Sequence, residues 1–279
     1  MHRPAPARLA LLLSVALIVV ACGEPVATPE PIYLSATGAT EMAPLVAELA
    51  AAFGEEQPTV HLEVSGPGTQ YGLNTLYAGE TNLALASWLP LDPSTPSGRA
   101  LNSHYRATAI GRDGIAIIVH PDNPVEGIGL LQLQDLFGGR VHDWQAVTPL
   151  AAMGQILVVS REDGAGTRAA FESLVMQDQR ITPRAIVQSS PQATVDYVAD
   201  HPGALGYVSM GSVSTAVKVL KIEGDLPSPE GVARGSYVLS RELWLVTADP
   251  PPQGVKLFLD FALSPAGQEI VSRQFGRIR

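Results

Sequence analysis

From residue 32 onward the chain alternates two hydrophobic rhythms. Short apolar runs predict strands over residues 32–36, 60–64, 83–86, 115–119, 156–159, 204–208 and 243–246. Between them, segments with apolar residues every three or four positions predict helices over 42–53, 71–77, 130–137, 168–176 and 193–199, with two more at 255–263 and 266–275. Ser264-Pro265 separates the closing pair as a stop followed by a helix-opening proline. This alternation argues for an α/β architecture with largely parallel sheets. Residues 90–98 and 224–235, rich in Pro, Ser, Gly and acidic side chains, read as surface loops, and no internal repeat is visible.

The first residues follow neither rhythm. Arg3 and Arg8 precede a short apolar run over 9–20 that ends in small residues, the pattern of an export signal over 1–21. The run is too short to span a bilayer comfortably. Val19-Val20-Ala21-Cys22 resembles a bacterial lipobox, which makes Cys22 the expected lipid anchor of the mature chain and residues 22–31 its tether. Cys22 is the only cysteine, which excludes an intrachain disulfide and a cysteine-based metal site.

Charge narrows the function classes. The net charge of −9 becomes about −11 once the leader with its two arginines is removed, which disfavours nucleic acid as a partner. Any anion site on such a chain must work through local, oriented donors rather than net charge. The six histidines, at 2, 61, 104, 120, 142 and 201, show no close metal-ligand spacing, and there is no Gly-x-Ser-x-Gly elbow. A phosphate hydrolase or transferase is therefore disfavoured against a binding protein.

Three strand-to-helix turns carry the candidate chemistry. They are Gly38-Ala39-Thr40-Glu41, Gly66-Pro67-Gly68-Thr69 and Ser160-Arg161-Glu162-Asp163-Gly164-Ala165-Gly166-Thr167. Each offers backbone N–H groups at the positive end of a helix, glycines that permit close approach, and a threonine that either caps its helix or donates to an oxyanion. Ordinary capping explains any one of them; three together, one with an arginine, favour an anion site. Arg161 can grip a tetrahedral oxyanion bidentately, with Asp163 holding its other face, although a surface Arg–Asp pair is the bland alternative. Ser87, after the strand at 83–86, offers a further hydroxyl, and Trp88 either packs or walls a cleft.

At these residues the chain resembles the phosphate-binding proteins of bacterial phosphate ABC transporters. The likeness runs from Ile32 to Ile278 and includes the three turns, Asp113 to Pro124, Leu133 to Phe137 with Trp144, Pro202 to Tyr207, and Ser264 to Gln268. It implies a two-lobe, type II periplasmic-binding-protein-like fold, with mixed or parallel sheets, two crossing segments and the ligand in the cleft. The crossings fall near Arg112-Asp113 and Ser240-Arg241, giving lobe 1 as 32–112 plus 241–279 and lobe 2 as 113–240. The implied anion ligands are Thr40, Glu41 through its backbone, Thr69, Ser87, Arg161, Ala165, Gly166 and Thr167, with Gly38, Gly68 and Asp163 in support. The implied function is capture of inorganic phosphate outside the cytoplasm by a monomeric, lipid-anchored receptor for a membrane permease, with no enzyme activity, metal or cofactor.

Two departures bear on the ligand. Ala165 stands where the family usually has serine, and Ser87 where its best-known members have an aspartate that accepts the proton of hydrogen phosphate. Sulfate, tungstate or molybdate binding and an anion-sensing role therefore stay open as alternatives. Glu41 beside an anion is unfavourable unless its side chain points away.

Overall fold

The computed structural model describes residues 30–90, 101 and 103–278. The leader, the Cys22 anchor, nearly all of the tether and residues 91–98 of the first proline-rich loop lie outside the described residues.

The chain opens with β1 (Ile32–Gly38), α1 (Ala43–Glu56), β2 (Val60–Ser65), α2 (Thr69–Tyr77) and β3 (Leu83–Ala86). A 15-residue strand, β4 (Tyr105–Val119), follows, then β5 (Gly127–Ile128), α3 (Leu130–Gly138), β6 (Leu157–Arg161) and α4 (Gly166–Phe171). Next come β7 (Ile186–Gln188), α5 (Pro191–Asp200), β8 (Ala204–Ser209), β9 (Lys218–Val219), β10 (Lys221–Ile222) and α6 (Pro229–Arg234). The chain closes with β11 (Ser240–Ala248), α7 (Gln253–Ala262) and α8 (Pro265–Ser272).

Nine of these strands form one sheet in the order β2-β1-β3-β11-β4-β8-β6-β7, with β9 beside β4, and β10 pairs with β5 in a separate two-stranded parallel sheet. Both flanks are parallel, β1 with β2 and β3 on one side and β6 with β7 and β8 on the other. The centre is antiparallel: β11 pairs with β3 and β4, and β4 with β8. Within this sheet the expected parallel ladders are confined to the flanks, because two long strands of opposite direction, β4 and β11, run between them.

Apolar burial divides at these strands. One core packs Leu34, Leu49, Phe53 and Leu85 with Leu243, Phe258 and Phe275, while a second packs Ile117, Phe137, Trp144, Phe171, Tyr207 and Leu239. Along β4, Ile110 belongs to the first core and Ile115 to the second, so the switch falls around Asp113. On α1 the buried residues Leu45, Val46, Leu49 and Phe53 form one stripe, and Phe53 meets Phe258 edge-on at 5.5 Å between ring centroids. Trp144 is fully buried and donates through Nε1 to the Gly203 carbonyl at 2.9 Å, which satisfies its one polar atom.

The loop expected over 224–235 contains α6. Ser228 Oγ accepts from the Gly231 N–H at 3.0 Å, Pro229 opens the helix, Val232 is fully buried, and Gly235 (φ +71) ends it. A complete set of start and stop signals fits within those few residues, and the turn-rich composition hides it.

Candidate functional site

The first two turns are stitched to each other. Gly38, at φ +153, lies so close to β3 that a Cβ there would come within 2.1 Å of the Leu85 carbonyl oxygen. The Ala39 N–H then donates to that same carbonyl at 2.8 Å, and the Gly68 N–H donates to the Gly38 carbonyl at 2.7 Å. Gly68, at φ +119, turns the chain into α2 in a conformation that a side chain would strain. Both supporting glycines are therefore required by backbone geometry.

None of the three threonines caps its helix. Thr40 Oγ1 donates to the Gly66 carbonyl at 2.8 Å, tying the first turn to the second. The helices α2 and α4 each begin two residues before the expected starts at 71 and 168, so Thr69 and Thr167 lie in first helical turns, where backbone amides have no acceptor within the helix. Thr69 Oγ1 lies 3.4 Å from Ser87 Oγ, and a Cβ on Gly166 would come within 2.1 Å of Ser87 Oγ and 2.4 Å of Thr69 Oγ1. Gly166 is the residue whose missing side chain lets α4 meet the end of β3.

Behind this contact sits a buried charge cluster. Asp113 on β4 and Arg241 on β11 are cross-strand partners, and Arg241 donates to Asp113 Oδ2 through Nε at 3.0 Å and Nη2 at 2.7 Å. Arg241 Nη2 also lies 3.0 Å from Glu41 Oε1 and 2.9 Å from Thr167 Oγ1, and Nη1 lies 3.3 Å from Ser87 Oγ. Thr167 Oγ1 in turn donates to Glu41 Oε1 at 2.8 Å, and Ser209 Oγ donates to Asp113 Oδ1 at 2.9 Å. The side chains of Glu41, Asp113 and Arg241 are 2%, 0% and 1% exposed, so each charge depends on the others.

The two carboxyls are perturbed in opposite directions. Burial alone would push Glu41 up, but the Arg241 charge and hydrogen bonds from the Ser87 and Thr167 hydroxyls and its own backbone N–H hold it below the ordinary glutamate value. Burial raises Asp113; the Arg241 charge and hydrogen bonds offset this only in part, and the charge on Glu41 adds to the rise. Asp113 in turn helps burial to raise Tyr237, whose hydroxyl donates to the Ile115 carbonyl at 2.8 Å.

Arg161 ends β6 and is almost completely buried, but its partner is not the one expected. Nε and Nη2 both donate at 2.8 Å to the carboxylate of Glu162, in a two-pronged fork. Asp163 is 93% exposed and pairs with Arg168 at 2.7 Å, so the expected Arg161–Asp163 contact is absent. Glu162 follows Arg161 directly, and Gly164, at φ +85, then turns the chain toward α4. Behind Arg161, the Tyr207 hydroxyl accepts from the Arg161 N–H at 3.3 Å and meets Ser160 Oγ at 2.8 Å, and burial pushes this phenol up to about 12. Tyr207 stacks on Phe171 at 4.2 Å between centroids, which fixes the end of β6 against α4.

Of the predicted residues, then, Glu41, Thr69, Ser87, Gly166 and Thr167 converge. Thr40 supports them from the neighbouring turn, Ala165 precedes Gly166 as the N-cap of α4, and Arg161 sits in its fork with Glu162. Glu41 departs from the expected arrangement, since its carboxylate faces the cluster. Its charge is tolerated there because Arg241 lies against it. Trp88 packs on the second core. Among the described residues no group of three or more His, Cys, Asp or Glu is arranged to hold a metal, and no helix is long and apolar enough to cross a membrane.

Sequence reasoning missed Arg241 and Asp113 as site residues. The available signal was a charged residue within each of two apolar runs, since buried arginine and aspartate are rare without a partner.

Comparison with known proteins agrees with this architecture. The chain is 28% identical over 247 residues to the phosphate-binding protein PstS of Bacillus subtilis, covering 88% of this chain and 80% of that protein. A crystal structure of a phosphate ABC transporter substrate-binding protein from Clostridium perfringens, with bound phosphate, superposes with a TM-score of 0.80 at 29% identity, over 88% of this chain and all of that one. An ABC-type phosphate transport receptor from Vibrio cholerae superposes with a TM-score of 0.72 at 27% identity, over 88% of this chain and 99% of that one. The fold is the mixed α/β fold of type II periplasmic binding proteins. A domain model of the PBP superfamily matches residues 25–266, and the chain belongs to that superfamily.

Proposed function

We propose that this protein captures inorganic phosphate outside the cytoplasm and delivers it to the permease of an ABC transporter, by binding alone and without covalent chemistry. The observation that carries this reading is the meeting of two helix starts and a strand end, Thr69, Ser87 and Gly166-Thr167, on one buried spot. First-turn amides and hydroxyls directed at one place suit an oxyanion, because they stabilise negative charge without a net positive surface. The phosphate ligands in this reading are Thr69, Ser87, Ala165 and Gly166 through backbone, Thr167, and Arg161 through the Nη1 that its fork with Glu162 leaves over. Thr40 and the backbone of Glu41 complete the first turn.

In the same reading residues 32–112 with 241–279 and residues 113–240 act as two lobes that close on the anion about β4 and β11. The division of the apolar core near Asp113 supports it. Closure is favoured to the extent that phosphate touches both lobes, since a ligand shifts an equilibrium only by its differential affinity. Cleavage after Ala21 leaves Cys22 as a lipidated first residue, and the receptor works as a monomer on its tether.

Calorimetry on the full chain, purified in detergent, tests the reading. Phosphate is expected to bind at micromolar concentration or tighter, and Arg161→Ala to weaken it by at least about tenfold. Absence of phosphate binding would overturn it, and binding of sulfate, molybdate or tungstate in its place would reassign the ligand.

A further inference from the structure

Strand β6 ends at Arg161 inside the proposed phosphate site, but three residues earlier, about 10 Å back along the strand, one of its edges is open. The Leu157 N–H donates to the Gly203 carbonyl at 2.9 Å on the β8 side. Successive N–H groups of a strand point to opposite edges, so Val158 presents its N–H on the other side. There the Ile156 N–H is taken by the His142 carbonyl at 2.9 Å, and β7 joins only from Val159, which pairs with Ile186. Between these two attachments the Val158 N–H meets no acceptor among the described residues, although Val158 is only 5% exposed. A buried backbone donor left over in this way is uncommon and calls for an acceptor from outside the fold.

The gap opens into a pocket of about 360 Å³, at the small end of the range for ligand sites. Leu136, Val141, Ile156 and Ile186 give it apolar walls, and the exposed residues Arg184 and His142 stand on its rim. Its walls are tied together. The Thr182 N–H donates to the Phe137 carbonyl at 2.8 Å, and Gly139, at φ +76, ends α3 so close to Thr182 that a Cβ would come within 3.0 Å of its Oγ1. The acidic side chains nearby are engaged elsewhere: Asp135 pairs with Arg140, and Asp143 accepts from the Gln145 N–H at 2.9 Å. Among the described residues no ion pair includes Arg184, and no carboxylate lines the pocket.

We propose that this pocket is a second binding site, for a small organic carboxylate with an apolar body, whose charge meets Arg184 and the Val158 N–H while its body fills the space between α3 and β7. An unpaired guanidinium and a free amide at a sheet edge suit one carboxylate group. A tetrahedral dianion suits the pocket less, because apolar walls leave its further oxygens without donors. The inference is independent of the phosphate reading, since none of the residues assigned to phosphate lines this pocket.

The test titrates benzoate and phenylacetate into the full chain in detergent by calorimetry, with and without excess phosphate, beside benzamide and acetate. One or both aromatic acids are expected to bind with a Kd of about 1 mM or tighter, whether or not phosphate is present. Benzamide, which lacks the charge, and acetate, which lacks the apolar body, should each bind at least about tenfold more weakly. Arg184→Gln, at an exposed position, should weaken the aromatic acids at least about tenfold and leave phosphate binding unchanged, with thermal melts to verify that it folds. In amide NMR spectra of the natural chain the Val158 signal should move as the acid is added.

No binding of either acid up to about 10 mM, or undiminished binding by Arg184→Gln, would overturn the inference and leave the phosphate reading intact. Displacement of the acid by phosphate would also overturn it, because the carboxylate would then sit among the phosphate donors. A chain that binds benzoate and no phosphate would support this site and defeat the phosphate reading alone. Should the variant not fold, the Val158 signal of the natural chain decides: movement supports the site, and a signal unmoved by bound acid overturns it.

Discussion

Replacing Arg241 with methionine keeps much of the side-chain volume and removes the cation that faces both buried carboxyls. Arg241 contributes hydrogen bonds to Asp113, Glu41, Thr167 and Ser87, all nearly or fully buried. Their energies do not add, because the cluster acts as a unit. The relevant magnitude is that for removing one partner of a buried ion pair, about 3–5 kcal/mol, against at most about 1 kcal/mol for an exposed pair. At the size of this chain that corresponds to a fall in melting temperature of about 6–20 °C.

The loss should depend on pH. Without Arg241, Glu41 and Asp113 both titrate above their unfolded values, so the folded form binds more protons and its relative stability is regained as pH falls toward about 4. Urea denaturation of Arg241→Met at several pH values measures both effects. The triple variant Arg241→Met, Glu41→Gln, Asp113→Asn removes every charge together and should recover most of the loss. A deficit for Arg241→Met below about 1 kcal/mol, or one that the two neutralising changes do not relieve, would refute the reasoning.

Four further outcomes are expected. Gly166→Ala places a methyl within 2.1 Å of Ser87 Oγ, so it should destabilise the chain by about 1–3 kcal/mol and weaken phosphate binding in calorimetry. The raised Asp113 makes a contribution that is full below the usual aspartate range and lost as pH rises through its folded value, so Asp113→Asn should flatten that descending limb in stability against pH. The lowered Glu41 acts with the opposite sign, contributing at neutral pH and failing on acidification below the usual glutamate range, and Glu41→Gln should remove that acid limb. Trp144→Phe deletes the buried donor to the Gly203 carbonyl and should reduce stability by about 1–3 kcal/mol in urea titrations, with phosphate affinity unchanged.

Much of the fold is legible in the sequence because local signals agree with the tertiary outcome. The seven expected strands all lie within observed strands apart from Ile156, and Ser264 caps α8 through the Gly267 N–H just as Ser-Pro suggests. Gly38 and Gly166 mark close approaches of backbone to backbone or hydroxyl, and Gly68 a positive φ. What stayed hidden has a common cause. Asp113 and Arg241 stand far apart in sequence and become partners only through the register of β4 on β11, which no local pattern encodes. Arg161 forks with Glu162 while Asp163 pairs with Arg168, a choice between adjacent acidic side chains that spacing alone does not decide. The early starts of α2 and α4 follow from tertiary packing of Thr69 and Gly166, a contact between segments that periodicity cannot see.

In the proposed function one phosphate binds where Thr69, Ser87 and Thr167 meet. A crystal structure of the full chain grown with phosphate tests it most directly. The anion is expected within hydrogen-bond distance of those three hydroxyls and of the Gly166 backbone. An anion bound elsewhere, or none at saturating phosphate, would contradict it.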